Sequence, residues 1–336
     1  MEDRQFSLRN AQNMTVTVSE RGAALLSWQA PDRDGQMADV LLGYPDAQSY
    51  VTNKDFFGAV VGRWANRIKH GRFMLDGKTQ QVTTNDRGNH LHGGPSGFFQ
   101  AHWQASETAQ GLTLTLTSPD GDNGFQGNLK VSVHYQLDDD GSLTIRYEAE
   151  SDAPTAINLT SHPYFNLNGS SADIGQHLLQ IHADHFMRID DSGIAVAVAS
   201  VAGSAFDFRQ PAPIGEHLAM ADPQLQLAGG FDHFYCARLP GEANIHTLRE
   251  LARVVDPVSG RRLIVASTEA GLQFYSGNSL AGVPGRHGKP YQKHDGFCLE
   301  AHASPDQING PYAQDVILRP GQIYRQTTVY QLGIEN

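Results

Sequence analysis

Apolar residues recur at every second position in four separate runs: Met14, Val16 and Val18; Leu112, Leu114 and Leu116; Leu129, Val131, Val133, Tyr135 and Leu137; and Leu143, Ile145 and Tyr147. A strand sends successive side chains to opposite faces, so each run presents one apolar face to a core. Asp138-Asp-Asp-Gly141 divides the last two runs with the residues a hairpin turn requires, and Gly121-Asp-Asn-Gly124 marks another tight reversal. Such short connections imply antiparallel pairing. Helical periodicity is scarce; Pro213 to Leu218 reads as a short helix with Ile214 and Leu218 one turn apart. The most apolar stretch, Gly193 to Phe206, is too short for a bilayer and reads as a buried strand.

With 34 glycines and 16 prolines to serve turns, the 336 residues suit two large packed sheets. No linker, charge block or long-period repeat divides residues 1–336. The expectation is an all-β chain forming one large antiparallel β-sandwich domain with few short helices. Lys and Arg total 25 against 36 Asp and Glu, a formal charge of -11, and no dense basic run offers a phosphate-neutralising face. Nucleic acid is therefore not an expected partner. The start, Met1-Glu-Asp-Arg, lacks the apolar core of an export signal, and Cys236 and Cys298 sit in apolar or aromatic stretches as expected buried thiols. A cytoplasmic protein with no membrane partner is expected, and monomer and homodimer both stay open.

Glu300 is hemmed in by Phe297, Cys298 and Leu299, surroundings that strip hydration from a carboxylate and raise its pKa towards that of a useful base. His162 lies in Asn158-Leu-Thr-Ser-His-Pro-Tyr-Phe-Asn-Leu167, and an imidazole with a carboxylate is the usual pair for moving protons. In Gly62-Arg-Trp-Ala-Asn-Arg-Ile68, a strand reading places Arg63 and Arg67 on one face; Arg67 suits a polyhydroxylated ligand, and structural salt bridges are the competing explanation. Asn89-His-Leu-His-Gly-Gly94 reads as two histidines on one strand face followed by glycines that let backbone approach a ligand. His-x-His is also a metal-ligating pattern, but no partner at a recognisable metal spacing accompanies it or His182 and His185, so no metal is expected. In Gly229-Gly-Phe-Asp-His-Phe-Tyr235, Asp232 suits sugar hydroxyls, although taken alone such a residue more often serves a turn or cap, while Gln273, Phe274 and Tyr275 fit either a ligand or a half-buried strand.

Together these segments, with Gly271-Leu-Gln-Phe-Tyr-Ser-Gly-Asn278, Gly296-Phe-Cys-Leu-Glu300 and Pro305-Asp306, resemble the aldose 1-epimerase family, in the family's order over roughly residues 55 to 310. The resemblance implies a large antiparallel β-sandwich with a sugar cleft across one sheet. It implies His162 as general acid and Glu300 as general base. It also implies His92 near the sugar ring oxygen, and Asn66, Arg67, Asp232 and Gln273 on the other hydroxyls. A free monosaccharide is the implied substrate, with no cofactor. Ser161 stands where the family often has threonine, and Ala301-His302 and Gln307 stand near Glu300 where the family usually has Thr-Gln and Ala; these bear on sugar preference. Three alternatives remain. A hexose-phosphate epimerase would use Arg63, Arg67 and the Arg286-His-Gly-Lys289 loop; a non-catalytic sugar-binding module would not need the acid and base; a glycosidase would pair Asp232 with Glu300.

Overall fold

A computed structural model describes residues 3–169, 172–239, 247–286 and 288–335. The four alternating runs are strands. Val16 and Val18 lie in Thr15–Ser19, the leucines in Gly111–Ser118, the long run in Leu129–Leu137 and the last in Ser142–Ser151. Leu137 pairs with Leu143, so Asp138 to Gly141 is the expected hairpin turn, and Gly141 takes φ +81, where a side chain is disfavoured.

The last three of these strands belong to a nine-stranded antiparallel sheet that also contains Arg249–Val255, Arg261–Ser267 and Tyr324–Ile334. A second sheet is built from β1 (His185–Ile189), β2 (Ala195–Ser200), β3 (Asp232–Cys236), β4 (Gly271–Tyr275) and β5 (Cys298–His302), in the order β2-β1-β3-β4-β5. Leu272, Phe274, Leu299 and Ala301 on one face of β4 and β5 join Tyr147 and Tyr330 of the large sheet in one buried core. Polar side chains fasten the layers as well: Tyr330 donates to Leu299 O at 2.9 Å and Gln326 Nε2 to Ala301 O at 3.0 Å. Because side chains alternate along a strand, burying Leu299 and Ala301 turns Cys298, Glu300 and His302 to the opposite face.

One expectation is corrected here, and one short helix was not foreseen. Gly193 to Phe206 does contain a strand, β2, but it lies at the edge of its sheet, where Val196 and Val198 are 56% and 43% exposed. With a single neighbouring strand it leaves its valines in solvent, while Ala195 and Ala199 are half-buried against the core. Helix α1 (Ile214–Leu218) lies where expected, but α2 (Pro223–Ala228) was not anticipated. Its signals are all local: Asp222 accepts from Gln224 N–H at 2.8 Å, Pro223 opens the first turn, and Gly229 closes it at φ +70. Among the described residues no helix is long and apolar enough to cross a membrane.

Candidate active site

Above the polar face of β3, β4 and β5 lies a cleft of about 430 Å³ lined by Asn66, Arg67, His92, His162, Asp232, Gln273 and Glu300. Strand register sets three of them. Gln273 on β4 stands opposite Glu300 on β5, and Gln273 Nε2 donates to Asp232 Oδ1 on β3 at 2.7 Å. Glu300 Oε2 and Gln273 Oε1 are buried without a partner among the described residues, two acceptors that a bound donor would satisfy.

His162 arrives from the other side of the cleft, directly after the short strand Thr160–Ser161. Backbone bonds clamp it on both sides, from its own N–H to Ala59 O and from Gly58 N–H to its carbonyl, each 3.0 Å. Its ring lies between Phe56 and Tyr164, at centroid separations of 5.7 and 5.0 Å. Its Nε2 stands 3.4 Å from Glu300 Oε1, with both side chains almost wholly buried. Burial drives the two groups in opposite directions. It lowers the His162 pKa to about 4, and it raises that of Glu300 well above the carboxylate range, with Asp232 adding repulsion and Arg67 opposing.

Asn66 and His92 sit at φ +63 and +51, conformations that turn each out of a regular strand. The two histidines of Asn89-His-Leu-His-Gly-Gly94 therefore do not share a face. His90 bonds Thr83 O at 2.7 Å and packs on Phe125, whereas His92 turns to His162 and Phe56. Gly93 admits the backbone of Gly62 rather than a ligand. The atoms of His92, His162 and Glu300 lie within 4.8 Å of one another, so their types could ligate a metal. Against that, Asn66 N–H donates to His92 Nδ1 at 3.2 Å, and burial keeps the ring neutral. The ring proton then belongs on Nε2, making that nitrogen a donor rather than a ligand.

The two arginines also part company. Arg67 pairs with Asp86 at 2.8 Å and approaches Asp232 at 3.9 Å beside the cleft. Arg63 is 2% exposed and spends its donors on Ser118, Pro119, Gln126 and Thr155. Arg286 donates to Leu26 O and faces Asp39, away from the cleft, and His287 of that loop lies outside the described residues. Asp306 accepts from Lys69 N–H at 3.0 Å and its own N–H reaches Arg67 O, so it buttresses the arginine segment.

The divergent positions do not line the cleft. Ser161 bonds Tyr147 OH at 2.7 Å, Ala301 faces the core, and His302 is buried against Phe234 with Nδ1 2.6 Å from Ala303 O. Gln307 lines a separate cavity of about 510 Å³ with Glu269, Arg238 and Tyr324. Sequence reasoning missed Phe56, which packs on both cleft histidines from φ +61, and Asp86, the anchor of Arg67. Neither carries a periodic or motif signal.

Known proteins resemble this chain along nearly its whole length. A family model described as aldose 1-epimerase matches residues 4–331. Galactose mutarotase from Rattus norvegicus is 40% identical over 333 residues, covering 98% of this chain and 94% of the relative; aldose 1-epimerase from Escherichia coli K12 is 39% identical, covering 99% and 96%. Among solved structures, an aldose epimerase homologue from C. elegans superposes with a TM-score of 0.90 at 28% identity, covering 99% of this chain and all of the other. Galactose 1-epimerase from Lactobacillus acidophilus gives 0.85 at 30% identity, covering 99% and 95%. With a matching model over nearly its whole length and relatives at this identity, the chain belongs to the aldose 1-epimerase family.

Proposed function

We propose that this protein is an aldose 1-epimerase acting on free hexoses such as galactose and glucose, with Glu300 as base and His162 as acid on a single-domain scaffold. The observation that carries the reading is the 3.4 Å approach of His162 Nε2 to Glu300 Oε1 inside a cleft that also brings Asn66, Arg67, His92, Asp232 and Gln273 to its wall. Glu300 takes the proton from the C1 hydroxyl while His162 gives one to the ring oxygen, and the pyranose opens to its aldehyde. Rotation about C1–C2 presents the other carbonyl face. Reclosure returns both protons and yields the opposite anomer.

Burial favours this sequence of steps. It makes the carboxylate a stronger base and the imidazolium a stronger acid: the shared proton rests on Glu300, and the reactive arrangement, with that proton on His162, is discharged into two neutral groups by ring opening. His92 Nε2–H serves an oxygen of the sugar, and Asn66, Arg67, Asp232 and Gln273 hold the remaining hydroxyls. Protons alone move, so the reaction as written requires no metal or nucleotide.

Freshly dissolved α-D-galactose, α-D-glucose and glucose 6-phosphate followed by polarimetry test the reading. Faster anomer equilibration of the free sugars supports it. A preference for the phosphate would favour the sugar-phosphate alternative, whose supporting cations Arg63 and Arg286 are engaged elsewhere.

A further inference from the structure

The imidazole of His162 has a second edge. Its Nδ1 lies 3.5 Å from Cys298 Sγ, and Cys298 is fully buried on the same face of β5 as Glu300, two residues away. Phe56 and Tyr164 restrain the faces of the ring but say nothing about which nitrogen carries its proton.

Resting on the epimerase reading, we propose that Cys298 is a positioning residue for the reaction: its sulfur accepts the Nδ1–H of His162 and so reserves Nε2 for the proton that travels. An imidazolium that gives up its Nε2 proton is left as the Nδ1–H tautomer. Nδ1 therefore needs an acceptor in both halves of the cycle. Thiol sulfur is a weak, neutral acceptor. A carboxylate at that point would hold the ring as imidazolium, as in a Ser-His-Asp arrangement, and would make it a poorer acid. The thiol fixes the tautomer without that penalty. It stays protonated itself, since burial pushes its pKa well above the ordinary thiol value and Glu300 and Asp232 push the same way. The other titratable groups facing His162 are Glu300 and His302 on β5, Asp232 on β3, His92 and Tyr164.

The test compares Cys298→Ala and Cys298→Ser in the full chain, reading kcat and KM by polarimetry across pH and the side-chain ¹⁵N shifts of His162. Cys298→Ala is expected to lose about tenfold in kcat at unchanged KM, the scale of losing a group that orients a functional histidine, and to show a larger Nε2–H population. Cys298→Ser restores an acceptor, recovers most of kcat, and stabilises the imidazolium more than sulfur does. Its acid limb, where the pair takes up a second proton, therefore moves to higher pH, and that of Cys298→Ala moves to lower pH. Equal rates and unmoved limbs in both variants, or equal slowing with no rescue by serine, would overturn the proposal. Should the alanine variant fail to fold, the limb shift of the serine variant decides. The resting tautomer of His162 is read without substrate, so a wrong substrate assignment and a wrong role for Cys298 give different results.

Discussion

Glu300 and His162 answer opposite demands with the same device. Burial withholds charge from both, and their adjacency lets one proton serve the pair. With the proposed roles, activity requires that single shared proton, so the rate should follow a bell in pH. Its acid limb reflects protonation of His162, at about 4 in the free enzyme, and its alkaline limb lies well above the ordinary carboxylate range because Glu300 holds the last proton. A pH profile of kcat/KM with an acid limb near 6.5 would contradict this accounting. Arg67 supplies a second residue-level prediction. Its Nε pairs with Asp86 at 2.8 Å, so Asp86→Asn should loosen the arginine and raise KM severalfold with a smaller effect on kcat, the signature of lost uniform binding. Steady-state kinetics decide it, and an unchanged KM would show that Arg67 holds its place without Asp86. All seven candidate site residues were legible in sequence through their ordered motifs. Phe56 and Asp86 were not, because each acts by tertiary proximity alone.

At the scale of elements, the period-two runs revealed the strands because each has one face on the core. Periodicity does not say which strand lies at an edge, so β2 was read as buried although its valines face solvent. It also fails wherever the backbone leaves the strand region, as at His92, and so two histidines that face apart were placed together. Helix α2 was written in the sequence as Asp222, Pro223 and Gly229, a cap, an opener and a stop. Its Leu227 and Ala228 form part of the cleft wall, and Gly229-Gly230 leads from it into β3 and Asp232. Asp222→Ala removes the acceptor for Gln224 N–H and should cost about 1 kcal/mol of stability, measurable as a lower urea midpoint at unchanged slope. No loss of stability would mean the cap is not needed to hold α2.

Over the whole molecule, one buried cluster runs from Met14 to Leu332 and joins both sheets, and the cleft lies on the face of the smaller sheet turned away from it. Asn158 ties the parts around the cleft: its side chain donates to Ala65 O and accepts from Ala303 N–H, linking the histidine segment to the Arg63–Arg67 segment and to the end of β5. The same dense core gives the fold a pH signature. Burial lowers the pKa of His90, His162, His177, His233 and His302 to about 4 each. Their stabilisation is present above the unfolded value near 6.5 and is lost as pH falls through about 4, because the unfolded chain takes up protons that the folded rings refuse. Glu269 works the other way. Burial raises its pKa to about 7, so its contribution is present below the unfolded value and fades as pH rises through 7. Burial raises Glu300 and Asp306 in the same sense, but the five imidazoles, with His92 lowered beside them, outnumber these three carboxyls, and urea midpoints should fall on acidification from pH 6.5 to 4; a flat or rising midpoint would contradict the burial assigned to the imidazoles. The central claim is that a buried carboxyl and imidazole, brought together from distant parts of the chain, interconvert anomers. The direct measurement is the polarimetric rate on fresh α-D-galactose with the wild type, Glu300→Gln and His162→Asn, each first shown folded by circular dichroism. The account predicts acceleration by the wild type and a loss of about 10²-fold or more in each variant; near-normal turnover in either would contradict it.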